Sequence, residues 1–141
     1  MPEHPNVARV RRGYEIRGKS IEFSESARAE IEDLFHPDLV YHGQGSSRFG
    51  QDFVGRDQFF SVERQLGGML RQIVRQVFAD EVHAVVIAEV HAQHEGKETV
   101  WTEAEIFHFG PDGRITDTWG IPTDQAVVDD FWSSVMASPP Q

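Results

Sequence analysis

A chain of 141 residues with 39% hydrophobic and 11% aromatic content can bury one good core, and it reads as a single domain spanning 1–141. Its formal net charge of −10 argues against nucleic-acid backbones and anionic membranes as partners, since both would repel it. Without cysteine, disulfides, thiol nucleophiles and thiolate metal sites are excluded, and with no long apolar run the expected compartment is cytoplasmic.

Residues 1–5 read as a frayed end. Asn6 then caps a helix carrying Val7, Val10 and Tyr14 at i, i+3 and i+7. Glycine and serines in RGKSIEFSES break that pattern. A second helix is predicted from Ser26 to Phe35, with Ala27, Ile31, Leu34 and Phe35 inward and Pro37 as its stop. DLVYHG is a short strand, and GQGSSRFGQDFVG is a long polar loop. Asp57 caps a third helix, QFFSVERQL, which ends at Gly67-Gly68.

From Met69 the period changes to two. MLRQIVRQVFA, EVHAVVIAEVHAQH, KETVWTEAEIFHFG and RITDTWGIP read as four strands, separated by turn signals at Asp80-Glu81, Glu95-Gly96 and Pro111-Asp112-Gly113. Thr123 or Asp124 caps a closing helix, QAVVDDFWSSVM, before a Pro-Pro tail. Helices first and a long antiparallel meander afterwards make the chain α+β.

Within WTEAEIFHF, one face carries Trp101, Glu103, Glu105, Phe107 and Phe109. A tight turn at Glu95-Gly96 sets Glu105 opposite Val86, Glu103 opposite Ala88 and Trp101 opposite Val90. A turn at Pro111-Asp112 sets Glu105 opposite Thr118 and Glu103 opposite Gly120. Small and apolar neighbours around two carboxylates suit a lined cavity better than a wet surface. The reverse face pairs Val85 with Ile106, Ile87 with Ala104 and His83 with His108, and it too has an apolar middle. Three helices close one face, and a second copy of the chain is the expected cover for the other.

The order of these elements resembles the SnoaL-like polyketide cyclases, which belong with the ketosteroid isomerases in the nuclear-transport-factor-two-like superfamily. The motifs that carry the likeness are GRD after the first short strand, DGRI, TDTWGIP and DDFW, over about Asn6 to Trp132. The resemblance implies a cone-shaped fold: a curved antiparallel sheet of four long strands plus a short one, packed on three helices, with a C-terminal helix. It also implies a homodimer through the convex sheet face. Matched by position, the isomerases' base aspartate falls on Gly43 and the cyclases' acid/base aspartate on Gly120. The position where isomerases hold a protonated acid falls on Glu105. Tyr14 lies near the isomerases' catalytic tyrosine, and Tyr41 matches a water-holding tyrosine of the epoxide hydrolases.

Two carboxylates at i and i+2 on one strand face stand roughly 6–7 Å apart at Cβ. In an apolar cavity each disfavours the other's charge, so one of the pair is expected to keep a proton near neutral pH. A neutral acid beside an ionised one can donate to an oxygen while its neighbour accepts a proton. Glu105 is the principal catalytic candidate, Glu103 its partner, and Tyr14 and Tyr41 the candidate donors. Trp101, Phe107, Val90, Ala88, Phe59, Thr118 and Gly120 are the candidate substrate-binding residues. The competing reading pairs both acids with Arg114, Arg75 or Lys97 at the sheet's rim. His83, His91 and His108 share the reverse face but are spread along it. No HExxH or H-x-H pattern occurs, so no metal and no cofactor are expected.

The chain thus reads as a cofactor-independent enzyme of acid/base chemistry (cyclisation, isomerisation or dehydration) on a hydrophobic polyketide- or steroid-like substrate. The alternative is a non-catalytic dimeric module that binds a small ligand or a protein. Epoxide hydrolysis needs an arginine beside an inward acid, and the strand carrying Ala88 and Val90 supplies none.

Overall fold

The computed structural model describes residues 2–19, 24–43, 45, 52–66 and 68–137. Most of the GQGSSRFGQDFVG loop, residues 20–23, Gly67 and the Pro-Pro tail lie outside them. Helix α1 (Pro5–Lys19) starts one residue before the expected cap. Proline's fixed φ suits a first turn, and His4 Nδ1 accepts the Asn6 N–H at 3.1 Å. The Asn6 side chain is therefore not needed as a cap. Its amide donates to the Asp80 carbonyl at 3.0 Å and accepts from Arg9 at 2.7 Å, pinning α1 to a turn of the sheet. Helix α2 (Glu25–Leu34) is capped by Ser24, whose hydroxyl accepts from Ala27 N–H at 3.2 Å. It ends at Leu34, not Phe35, because Phe35 turns extended and opens strand β1 (Phe35–His42). Pro37 lies inside β1, where its missing N–H costs little because the pairing is irregular between Phe35 and Val40.

The remaining elements are β2 (Phe53–Val54), α3 (Arg56–Leu66), β3 (Leu70–Ala79), β4 (His83–His94), β5 (Lys97–Phe109), β6 (Ile115–Pro122) and α4 (Gln125–Ala137). Asp124 caps α4 by accepting from the N–H groups of Ala126 and Val127. One sheet runs in the order β2-β1-β6-β5-β4-β3, antiparallel throughout except for the parallel β1–β6 pair. This is the expected α+β architecture, with the two-residue β2 added at one edge.

The β4–β5 register is the one expected. Glu105 pairs with Val86, Glu103 with Ala88 and Trp101 with Val90, around a turn whose Glu95 and Gly96 both have positive φ (50° and 77°). The β5–β6 register differs by two residues: Glu105 faces Gly120, Glu103 faces Pro122, and Phe107 faces Thr118. The cause is a longer turn, with Gly110 N–H bonded to the Arg114 carbonyl at 2.8 Å, and a bulge between His108 and Phe109. A shift of two keeps the parity, so the acid-bearing face is unchanged. A further bulge between Val74 and Gln76 turns Gln72 and Val74 inward on one side of it and Val77 on the other.

The acid-bearing face of the sheet is covered by the helices. Val7 and Val10 of α1, Ile31 and Leu34 of α2, and Phe59 and Phe60 of α3 are buried with Val86, Ala88, Phe107 and Phe109 in one cluster. Val90, Ala92 and Trp101 form a second cluster with Val128, Phe131 and Trp132 of α4. Among the described residues no helix is long and apolar enough to cross a membrane.

Candidate active site

Strand parity carries Glu105 onto the helix-covered face, where it is only 8% exposed. From β3, Gln72 reaches over the small residues of β4 and donates its amide to Glu105 Oε1 at 2.8 Å. Glu103, two residues away, accepts from the Trp101 indole N–H at 3.2 Å. Gly120 leaves room beneath it: a Cβ there would meet Glu103 Oε2 at 3.3 Å and the Tyr41 hydroxyl at 3.5 Å. Glu103 and Tyr41 thus converge over one bare stretch of β6.

The helices add a second set of groups. Helical spacing of i, i+3 puts Tyr14 and Arg17 on the same side of α1. Arg17 is paired with Glu63 of α3, and its guanidinium lies over the rings of Tyr14, Phe59 and Phe35 at 5.3, 5.6 and 5.9 Å. Tyr14 meets Phe107 edge-on at 6.2 Å, and Tyr41 stacks on Phe59 at 5.7 Å. The Tyr14 hydroxyl is fully buried beside Glu105, but it is not aligned for a hydrogen bond with any described residue.

These surroundings separate the two acids. Burial lifts the Glu105 carboxyl above its usual range, and Arg17, Tyr14 and Gln72 pull it part of the way back. Burial and then the Glu105 charge push Glu103 up to about 8, opposed only by the Trp101 N–H. Both carboxyls are thus raised, and the groups that favour the charged form gather around Glu105. Burial, followed by Glu105 for Tyr14 and by Glu103 for Tyr41, raises both phenols, which stay protonated donors. Burial opposes the charge on Arg17, yet Glu63 holds it firmly protonated.

Glu103, Glu105, Ala88, Phe107 and Gly120 share the face that strand parity gives them, and Tyr14, Tyr41 and Phe59 are packed against it. Trp101 and Val90 belong to the α4 cluster, so Trp101 acts as a wall, its ring 5.8 Å from Phe131. Thr118 is buried but faces Phe107, and Gly120 takes the expected place opposite Glu105. Two of the rim cations are engaged elsewhere, Arg114 with Asp112 at 2.7 Å and Arg75 with Glu89 at 3.1 Å. Arg17, Glu63 and Gln72 were not anticipated. The strand carrying Ala88 and Val90 supplies no arginine, as expected, but α1 brings Arg17 to act on Glu105. The i, i+3 spacing of Tyr14 and Arg17 was the available signal. Among the described residues no group of three or more His, Cys, Asp or Glu could hold a metal ion. On the reverse face His42 stacks on Trp119 at 4.5 Å and bonds Asp117 at 2.9 Å.

Residues 22–118 match the model of the SnoaL-like domain. No curated protein matches the sequence significantly. Among solved structures, Bal32a from a soil-derived mobile gene cassette superposes with a TM-score of 0.75 at 25% identity, over 90% of this chain and 95% of that one. IdmH from Streptomyces antibioticus, proposed to be a polyketide cyclase, gives 0.65 at 15% identity, over 93% and 99%. An epoxide hydrolase from M. tuberculosis of the LEH-like type gives 0.62 at 16% identity, over 95% and 100%. At these identities the last two establish a common fold.

Proposed function

We propose that this chain, which belongs to the SnoaL-like domain family, is a small-molecule enzyme that moves protons on a hydrophobic carbonyl substrate without a cofactor. The observation that carries the reading is the inequality of two acids on one buried strand face. Glu105 is held toward its ionised form by Arg17, Tyr14 and Gln72, and Glu103 retains its proton to about pH 8. Glu105 would take a proton from the carbon next to a carbonyl. The C–H electron pair moves into the new carbon–carbon double bond, and the carbonyl oxygen receives a proton from Glu103 or Tyr41. Return of a proton to another carbon completes an isomerisation, and attack of the enol carbon on a second carbonyl closes a ring. Phe59 and Phe107 would seat the apolar body of the substrate, with Trp101 as the wall beyond Glu103.

A test free of the unknown substrate is exchange of α-protons for deuterium in 2-tetralone, followed by NMR. The wild type should accelerate exchange, and Glu105→Gln should abolish it while leaving the fold intact. A wild type that binds the ketone but exchanges nothing returns the chain to the binding-module alternative. Arg17 beside Glu105 favours a second reading, opening of an epoxide by water. Formation of a diol from styrene oxide, without exchange in 2-tetralone, would select it.

The reading includes a homodimer through the reverse face of the sheet. What supports it is the apolar middle there, flanked by Phe78, Val100 and Ile121 at 57, 47 and 41% exposure. Light scattering on the purified protein tests this, and a monomer at micromolar concentration would refute it.

A further inference from the structure

The charges around Glu103 and Glu105 do not balance. Among the described residues, three carboxyl groups (Glu63, Glu103 and Glu105) act on Tyr41, and Arg17 is the cation that acts on Tyr14 and Glu105. That cation is already committed, paired with Glu63 and enclosed by the rings of Tyr14, Phe35 and Phe59. With Glu103 protonated, Glu63, Glu105 and Arg17 leave one net negative charge, and ionisation of Glu103 makes it two. Among the described residues, a ligand anion entering beside Glu103 would find no free cation.

A second observation concerns donors. The buried Tyr14 hydroxyl lies close enough to Glu105 to favour its charge but is not aligned with it, so it can turn to a ligand oxygen. Tyr41 directs its hydroxyl to the same bare patch of Gly120 as Glu103 does. Both phenols stay protonated, as does Glu103 at neutral pH. The chamber therefore presents O–H donors within a negative field. That combination matches an oxygen which accepts hydrogen bonds but carries no charge.

We infer that the chamber selects an uncharged hydrophobic ligand with a carbonyl or ether oxygen at its polar end and rejects the corresponding carboxylate or phosphate. This deepens the proposed function and rests on it for the identity of the site, though not for any chemical step. Unit charges a few ångströms apart in a partly buried site repel strongly enough to weaken binding by roughly 10- to 100-fold.

A matched pair of probes tests the inference: 2-acetylnaphthalene and 2-naphthoate share one apolar skeleton and differ in charge. Their affinities are measured at pH 7 and pH 9 by titration calorimetry on the full chain. The ketone should bind at least about tenfold more tightly than the carboxylate. Glu105→Gln should narrow the gap by strengthening naphthoate alone. Glu103→Gln should do so mainly above about pH 8, where the wild-type group ionises. Equal affinity for naphthoate, a gap that survives both substitutions, or a ketone that fails to bind would overturn the inference. Charge selection without α-proton exchange would defeat the enzymatic reading and leave this one standing, and exchange without charge selection would do the reverse.

Discussion

Replacing Glu103 with Gln should make the protein more resistant to alkaline unfolding. The folded chain holds Glu103 up to about 8, against 4.5 for the ordinary carboxyl, because burial and the Glu105 charge disfavour ionisation. Between those two values the folded state binds more protons at this position than the unfolded state. Linkage then requires stability to fall as pH rises from about 4.5, and to level off once the folded group has ionised near 8. At about 1.4 kcal/mol per pH unit, that interval amounts to about 5 kcal/mol. This figure is a ceiling, since water drawn to a second charge in the chamber lessens the penalty. Glutamine keeps the shape and can still accept from the Trp101 indole, but it has no proton to lose. Urea unfolding at constant ionic strength, followed by fluorescence at pH 5, 7 and 9, measures the effect. Wild type should lose several kcal/mol relative to Glu103→Gln across that range. Parallel stability profiles for the two proteins would show that Glu103 ionises as an ordinary exposed acid, and the division of roles between the two carboxyls would fall with it.

Gln72→Leu removes the donor at 2.8 Å from Glu105. Glu105 should become harder to ionise, so the acid limb of the α-proton exchange profile should move to higher pH, at a stability cost of about 1–3 kcal/mol. An unmoved limb in a folded variant would refute that placement of Gln72. Arg17→Met leaves Glu63 and Glu105 without their cation and should cost about 3–5 kcal/mol by denaturant unfolding, with partial recovery when Glu63→Gln is added. Gly120→Val puts bulk where even a Cβ lies 3.3 Å from Glu103 Oε2, so exchange should fall about tenfold or more and overpacking should lower stability by about 1–3 kcal/mol.

Most of the fold was legible because one face of each long strand is buried, and burial writes a period of two into the sequence. The β4–β5 register followed from Glu95-Gly96, where the glycine marks a two-residue turn even though Glu95 as well takes a positive φ. The β5–β6 register did not, because Pro111-Asp112-Gly113 marks that a turn occurs without fixing how many residues it takes up. Strand β2 escaped notice since two residues cannot display a period. Asn6 misled for a different reason. Its side chain suits a cap, but a tertiary bond to the Asp80 carbonyl claimed it, and His4 took over the local role.

The acids show where reading by parity stops. Alternation along β5 was enough to place Glu103 and Glu105 together and inward, and to require that one of them keep its proton. Which one keeps it depends on groups that arrive from other elements. Gln72 reaches Glu105 across β4 after a bulge resets the parity of β3. Arg17 reaches it from α1, fixed in place by Glu63 on α3. None of these distances is a function of spacing along β5. Glu103, by contrast, has only the Trp101 indole from its own strand, a contact at i+2 too weak to offset burial. The inequality between the two acids is therefore a matter of tertiary packing. On the proposed reading, Glu105 takes the place of the base that the resemblance puts at Gly43 or Gly120, and its charge is favoured by a cation that strand alternation could not reveal.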